Sequence, residues 1–330
     1  MAERDAVAWD EREIAELTAK VDALRASMAR VIIGQNDVVE LLLTCLLAGG
    51  HALVEGVPGL GKTLLVKSLA QATDMEFRRV QFTPDLMPSD VTGHTLYDLG
   101  SQSFRVRRGP IFTQLLLADE INRAPAKTQS ALLEVMQEAQ VTIDGETHAL
   151  QPPFMTFATQ NPVEQEGTYP LPEAQLDRFL VKVIIDYPEP EQEAWIVKAV
   201  SSAAGGRGLS AEQISQVCDT QAILEAQQET ANVDAVDSVV NYAVNLARAT
   251  RSHGGIALGA GTRGAISLVR VAKAYAVLEG RSYITPGDVK RAALPVLRHR
   301  VNLAPEVAIS GQTVDQVLEA VIRSVEAPRQ

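Results

Sequence analysis

The segment Gly56–Thr63, with the sequence GVPGLGKT, constrains the fold more than any other part of the chain. The apolar residues 51–54 before it predict a short buried strand, and residues 64–70 after it predict a helix. A loop between a strand and a helix turns successive backbone N–H groups inward at the helix N-terminus, where anions bind favourably. The segment fits the pattern G-x-x-x-x-G-K-[ST] at every fixed position, which is typical of loops that hold nucleotide phosphates.

Each part of this glycine loop has an expected role. The side chain of Lys62 is expected to reach the β- and γ-phosphates of a nucleoside triphosphate, and the hydroxyl of Thr63 to bind Mg²⁺. An ordinary glycine-rich turn is the alternative, which the strand and helix on either side disfavour. The residues expected to surround the nucleotide phosphates are Gly56, Val57, Pro58, Gly59, Leu60, Gly61, Lys62, Thr63 and Leu64.

A second motif supplies carboxylates. The apolar run 115–118 ends in Asp119 and Glu120, which places two acids at the carboxyl end of a predicted buried strand. Ligands of open parallel sheets bind at that edge, so we expect the acids beside the glycine loop. There Asp119 can hold the shell of a Mg²⁺ ion, usually through water, and Glu120 can polarise an attacking water. Two surface acids at a strand end are the alternative.

Composition limits the classes of function. The 330 residues carry 30 basic and 41 acidic side chains, a net charge of −11 that weakens the case for nucleic-acid binding. The two cysteines, Cys45 and Cys218, are predicted to be free thiols in a reducing compartment. The charged N-terminus does not resemble a secretory signal, and the most apolar stretch, residues 38–54, is interrupted by polar residues and glycines. We therefore expect a cytoplasmic protein without membrane insertion.

The order of predicted elements indicates an α/β fold. Strand and helix candidates alternate up to residue 187, which predicts a parallel sheet with helices on both faces. Two hairpins are expected, one over residues 95–107 and one over 141–150, where Asp-Gly is a strong turn signal. The expected organisation is an amphipathic helix within 1–30, a nucleotide-binding core over 31–187 and a smaller helical domain over 188–330. Its helices are expected at 191–203, 210–228, 233–250, 263–279, 286–299 and 313–325.

Longer stretches carry a family resemblance. They are QFTPDLMPSDVTG (81–93), GPIFTQLLLADEINRAPAKTQSALLEVMQE (109–138), FATQNPVEQEGTYPLPEAQLDRF (157–179) and ITPGDVK (284–290). With the glycine loop they cover most of residues 31–190, and there the chain resembles the AAA+ ATPases, in detail the MoxR type of the helix-2-insert clade. The resemblance implies a P-loop parallel-sheet core, a second all-helical lid domain, and ATP and Mg²⁺ as ligands.

The resemblance also implies roles for single residues. Asn161 matches the sensor 1 residue, and Arg178 matches the arginine finger, which often acts on a neighbouring subunit. Arg263 matches sensor 2, and Arg123 is another candidate to face a neighbouring subunit. Considered without the family, Asn161 fits a cap at a strand-to-turn transition and Arg178 fits a surface salt bridge.

Three more segments have counterparts in the family. Ile32 and Gly34, together with Val31, resemble the segment that lines the adenine pocket, although apolar residues there are equally expected in a core. Residues 83–108 take the place of the helix-2 insert, and residues 141–150 that of the hairpin before sensor 1. In the family such elements face the central channel of a ring and are candidates to couple nucleotide state to a client protein. Surface hairpins that only extend the sheet are an equally weighted alternative.

The expected function is Mg²⁺-dependent ATP hydrolysis by a hexameric ring that remodels or matures protein clients. The resemblance alone suggests a partner with a von Willebrand factor A domain and a role in metal-cofactor insertion. Two alternatives stay open: a nucleic-acid motor related to replicative helicases, and a nucleotide-gated scaffold with negligible turnover. The acidic composition disfavours the first, and we expect no nucleic-acid partner. The presence of Asp119, Glu120 and Arg178 disfavours the second.

Overall fold

The computed structural model of the chain describes residues 11–100, 102–161, 167–202 and 208–329. Residues 1–10 of the segment expected to hold the first helix, residue 203 of a later expected helix, and residues 162–166 of the family-like stretch lie outside the described residues. The helices are α1 (Glu11–Ala29), α2 (Asn36–Leu47), α3 (Lys62–Thr73), α4 (Pro88–Thr92), α5 (Ala126–Glu138), α6 (Glu173–Leu176), α7 (Pro190–Ser201), α8 (Thr220–Asn232), α9 (Asp237–Ser252), α10 (Thr262–Leu278), α11 (Pro286–Leu297), α12 (Pro305–Ile309) and α13 (Val314–Ser324).

The strands are short and follow the predicted apolar runs. They are β1 (Ala52–Glu55), β2 (Phe77–Gln81), β3 (Gly93–Asp98), β4 (Ser103–Arg108), β5 (Leu115–Asp119), β6 (Gln140–Ile143), β7 (Glu146–Ala149), β8 (Met155–Gln160), β9 (Val181–Ile184), β10 (Ile256–Leu258) and β11 (Asn302–Leu303).

Five strands form one parallel sheet in the order β2-β5-β8-β1-β9. Its three central strands are buried along nearly their whole length, as expected when helices cover both faces of a parallel sheet. The register pairs Glu55 of β1 with Gln160 of β8, and Gln81 of β2 with Asp119 of β5. The segments that follow these strands therefore leave the sheet at one common edge. The predicted α/β class is confirmed.

Large apolar side chains fill the space between the sheet and its helices. Phe82, Phe157 and Phe179 are completely buried, and each contributes about 1.5–3 kcal/mol of hydrophobic stabilisation. Phe82 and Phe179 belong to one buried cluster with Leu53 of β1 and Leu116 of β5, so the strands that carry the predicted motifs are anchored in the core.

Both predicted hairpins are present. In the first, β3 pairs antiparallel with β4, and the rings of Tyr97 and Phe104 meet edge to face at 5.2 Å between centroids. In the second, β6 pairs with β7 around Asp144 and Gly145, whose φ angles of 49° and 89° suit a type I′ turn. Each hairpin is a separate two-stranded sheet in the described part of the chain, so neither extends the central sheet.

The prediction of a helix over 210–228 is wrong for the first half of that range. The chain makes only a 3-10 turn at Ala211–Gln213 before α8 begins at Thr220. The N–H groups of Val217 and Cys218 donate to the carbonyl oxygen of Ala72, at 2.8 and 3.2 Å, near the end of α3. A tertiary contact therefore satisfies backbone groups that a helix would otherwise pair.

The chain divides into two compact units. One contains residues 26–42 and 49–223 with the central sheet, and the other contains residues 43–48, residues 224–330 and the N-terminal residues up to 25, of which positions 1–10 and 330 are not described. This division differs from the expected one, because α7 and the segment up to residue 223 belong to the unit with the sheet.

The second unit is built mainly from helices. Helices α9, α10, α11 and α13 bury their apolar faces, and the apolar residues of α1 at helical spacing are buried as well. Helix α11 begins with a capping box, in which Thr285 and Asp288 each bond the other's backbone N–H. The expected lid also contains a small antiparallel sheet, β10 with β11, in addition to its helices. None of the helices in the described residues is long and apolar enough to cross a bilayer.

Candidate active site

The glycine loop joins β1 to α3 at the carboxyl edge of the sheet. Gly59 and Gly61 have φ angles of 89° and 77°, in the left-handed region that side chains rarely adopt, and an added Cβ would meet no neighbouring atom at either position. Gly56 is glycine for another reason, since a Cβ there would lie 2.7 Å from the carbonyl oxygen of Ile185. Helix α3 begins at Lys62, so its first N–H groups point into the concave side of the loop.

Lys62 connects the loop with the acids. Its ammonium group donates a hydrogen bond to the carbonyl oxygen of Gly56. Burial lowers the pKa of Lys62, and the carboxylates of Asp119, Glu120 and Glu55 oppose that shift. These three carboxylates are therefore near enough to act on the lysine, and the structure brings the two predicted motifs together.

A threonine on β8 holds the two acids in place. The hydroxyl of Thr159 donates to Asp119 Oδ1 at 2.6 Å and accepts the backbone N–H of Glu120 at 2.8 Å. Glu120 itself has a φ angle of 56°, a left-handed conformation that is uncommon for a residue with a side chain. Thr159 is buried, so water does not compete for its hydroxyl. This one hydroxyl therefore fixes both the carboxylate of Asp119 and the backbone of Glu120.

Two polar residues of β2 contact the acids from the neighbouring strand. Arg79 donates from Nε and Nη2 to Asp119 Oδ2, at 3.0 and 2.5 Å. Gln81 donates from Nε2 to Glu120 Oε2 at 2.7 Å and accepts a bond of 3.1 Å from Arg79. Arg123 donates from Nη1 to the same Glu120 oxygen at 3.1 Å. Sequence reasoning missed Thr159, Arg79 and Gln81; the only signal for the last two is polar residues at period two on β2, and it becomes informative only when the strand order is known.

Asn161 and Thr63 lie where the sequence predicted them. Asn161 directly follows β8, which is the strand between β1 and β5, and its side chain is buried. Thr63 occupies the first turn of α3. The hydroxyl of Thr63 and the carboxylate of Asp119 are hard oxygen ligands, the type that Mg²⁺ prefers, so this set of donors fits the metal.

A cavity of about 460 Å³ adjoins the glycine loop. Its walls include Ile32 from the segment before α2, Pro58–Gly61 from the loop, and Tyr187 and Ile196 from the chain after β9. Mainly apolar walls beside a phosphate loop suit a planar base. Gly34 has a φ angle of 74°, and its Cα packs against Gln192 so closely that a Cβ would overlap that side chain. Ile32 therefore lines the cavity, whereas Gly34 shapes the backbone next to it.

The three arginines that the family resemblance singled out differ in their surroundings. Arg178 follows α6 and donates from Nη1 to the carbonyl oxygen of Leu133 on α5 at 2.6 Å. Its Nε is buried and has no hydrogen-bond partner among the described residues. Arg263 lies in the first turn of α10 in the other compact unit and is exposed. Arg123 instead bonds Glu120 of its own chain.

A glycine loop, two acids and a buried Asn at one edge of a parallel sheet define a nucleotide hydrolase of the P-loop type. The family described as "ATPase family associated with various cellular activities (AAA)" matches residues 51–181, and the AAA lid domain matches residues 248–321. The fold and the site thus belong to the AAA+ class, and the chain is an ATPase.

Relatives define the family more narrowly. The chain is 41% identical to Chaperone MoxR1 of Mycobacterium tuberculosis over 95% of this chain and 84% of that protein. It is 44% identical to YeaC of Bacillus subtilis over 91% and 92% of the two chains. A crystal structure of a candidate ATPase from Cytophaga hutchinsonii superposes with a TM-score of 0.88 at 41% identity, covering 97% of this chain and 98% of that one. The chain belongs to the MoxR family of AAA+ ATPases.

Proposed function

We propose that this chain binds ATP with Mg²⁺, hydrolyses it as a ring-shaped oligomer, and uses the cycle to remodel or mature protein clients. The observation that carries the proposal is the pair of acids anchored by Thr159 at the sheet edge where Lys62 and the glycine loop lie. This arrangement combines a phosphate cradle with a carboxylate that can accept a proton from water.

Each group in the site has a distinct task. The loop N–H groups and Lys62 hold the phosphates, and Ile32 with the apolar cavity holds the base. Thr63 and Asp119 hold Mg²⁺, which neutralises charge on the phosphate oxygens when it is bound. Glu120 accepts a proton from the attacking water, since Gln81 and Arg123 occupy only one of its two carboxylate oxygens. Asn161 lies between the loop and the acids, where an amide can orient that water.

Arg178 is proposed to act on the nucleotide of a neighbouring subunit. It is tied to α5 rather than to the acids of its own chain, and an arginine finger raises the hydrolysis rate about 10³–10⁵-fold. Arg263 is proposed to contact the nucleotide from the lid of its own subunit.

Mixing two inactive variants tests the shared site and the ring together. Arg178→Ala keeps an intact nucleotide site, and Glu120→Gln keeps an intact finger. If the finger acts between subunits, an equal mixture regains about a quarter of the hydrolysis rate of the unmodified chain, because a quarter of the interfaces then contain both intact parts. If the finger acts within one chain, the mixture stays as inactive as either variant alone, and the proposed sharing is wrong.

The first hairpin is the proposed client-contacting element. Leu99 and Phe104 are 84% and 74% exposed near its tip, and Leu96 and Tyr97 of the same hairpin are exposed as well. Exposed apolar side chains that are grouped in this way often mark an interaction surface. A relative carries the name chaperone, and the family resemblance adds a von Willebrand factor A domain partner and metal-cofactor insertion.

Capture of a client with the Glu120→Gln variant and ATP tests this assignment. A Leu99→Ser/Phe104→Ser change in that background is expected to abolish capture. Ile309→Ser is the matched control, because Ile309 is 86% exposed but lies in the other compact unit. Equal capture by all three proteins would assign client binding to another surface.

A further inference from the structure

Arg79 is hydrogen-bonded to Asp119, the acid that is expected to bind Mg²⁺. Both Arg79 contacts go to one oxygen, Asp119 Oδ2, while Thr159 holds the other oxygen. The Asp119 side chain is only 14% exposed, so little of its carboxylate is left for a further ligand. A cation that binds Asp119, directly or through water, must therefore compete with the Arg79 guanidinium.

Arg78, the neighbouring arginine on β2, pairs with a different acid from the one that Arg79 contacts. Successive side chains of a strand point to opposite faces, and Arg78 pairs with Glu76 at 2.8 Å instead of with the site. Arg79 and Gln81 share the other face, and Arg79 Nη2 bonds both Asp119 and Gln81. Because both residues are arginine, charge alone does not explain why Arg79 contacts Asp119 and Arg78 does not. The strand register and the face of β2 on which each side chain lies explain it.

We propose that Arg79 is a positioning residue that acts as a counter-cation for Asp119, neutralising this acid until Mg²⁺ arrives with the nucleotide. The inference rests on the proposed Mg²⁺–ATP site. Before metal binds, the guanidinium lets the anionic phosphates approach the sheet edge without repulsion from Asp119. When metal binds, the guanidinium leaves the carboxylate and part of the metal's binding energy is spent on that exchange.

Removing the guanidinium has two effects of opposite sign. Without Arg79, metal-free ATP meets a carboxylate that has lost its guanidinium partner and binds more weakly, whereas Mg²⁺ no longer competes with that guanidinium and binds more tightly. A partly exposed, charge-assisted pair of this kind corresponds to about a five- to tenfold change in each equilibrium. Damage to the fold cannot produce this result, since it would weaken both.

The test measures the affinity of a fluorescent N-methylanthraniloyl ATP analogue in excess EDTA, and then the Mg²⁺ concentration that half-saturates the nucleotide-bound protein. The variants are Arg79→Ala, the conservative Arg79→Lys, and Arg78→Ala as the matched control, each checked by thermal unfolding. For Arg79→Ala we expect about five- to tenfold weaker metal-free binding and about five- to tenfold tighter Mg²⁺ binding. Arg79→Lys should restore part of both values, and Arg78→Ala should change neither.

Two results would overturn the inference while the proposed function stands. The first is nucleotide and Mg²⁺ affinities of Arg79→Ala that equal those of the unmodified chain or are both weaker. The second is the same pair of shifts in Arg78→Ala, which would make the effect one of general surface charge. If the unmodified chain itself bound the analogue neither with nor without Mg²⁺, the proposed function would fail together with the inference.

Discussion

The bridge made by Thr159 leads to a quantitative prediction. Thr159→Val keeps the β-branched shape and removes only the hydroxyl, which joins the backbone of Glu120 to the carboxylate of Asp119. The change leaves one N–H of a buried segment without its acceptor and removes one charge-assisted hydrogen bond. Together these losses are expected to lower the free energy of unfolding by about 2–4 kcal/mol.

The same strand contains a control for this substitution. Thr156 is completely buried, and its hydroxyl has no hydrogen-bond partner among the described residues. Thr156→Val therefore exchanges a buried unpaired hydroxyl for a methyl group, which is expected to be neutral or to stabilise by about 1 kcal/mol. The two substitutions are chemically identical and lie three residues apart on β8.

Urea unfolding of the nucleotide-free protein compares the two variants, and steady-state ATP hydrolysis provides the second readout. Thr159→Val should reduce turnover about 10- to 100-fold, the usual effect of losing a group that orients a metal ligand, and Thr156→Val should leave turnover unchanged. Equal destabilisation by the two variants would refute the reasoning, because threonine packing and not the bridge would then be what matters.

Three further changes test other parts of the structure. Gly61→Ala forces a side chain into a φ of 77°, which costs about 1–2 kcal/mol, and should weaken ATP binding measured by calorimetry. Asp288→Ala removes the buried partner of Arg281, bonded at 2.7 and 2.9 Å, and should cost about 3 kcal/mol in thermal unfolding; Glu279→Ala, at the exposed pair, should cost under about 1 kcal/mol. Burial lowers the pKa of Lys62, so the unfolded chain binds the proton of the Lys62 ammonium group more tightly than the folded chain does. Lys62→Met should therefore raise the free energy of unfolding, measured in urea at pH 7. The gain should disappear as the pH rises towards 10.5, the ordinary pKa of lysine.

Local signals in the sequence predicted much of the fold. The order strand, glycine loop, helix depends on neighbouring residues, and the structure has it at β1, Gly56–Gly61 and α3. The hairpin around Asp144 and Gly145 is equally local, since the positive φ of both residues is what the turn requires. These features are confirmed because their physical causes lie within a few residues of each other.

Features that depend on distant contacts could not be predicted in the same way. The segment before Thr220 has helical spacing, yet its backbone pairs with the end of α3 through Ala72. The contacts of Arg79 and Gln81 depend on β2 lying beside β5, a neighbour relation that the chain order does not give. From the sequence alone, Thr159 is only a β-branched residue of a buried strand. Its role becomes visible when the acids of β5 are placed next to it.

Glu120 is proposed to activate water for ATP hydrolysis, at a site whose nucleotide binding does not need this residue. The direct measurement is the steady-state hydrolysis rate of Glu120→Gln beside its affinity for ATP, with Glu306→Gln, an exposed acid on α12, as the control. We expect a rate at least about 100-fold below that of the unmodified chain, with ATP affinity within about twofold and the control unchanged. Hydrolysis by Glu120→Gln at the rate of the unmodified chain would contradict the account.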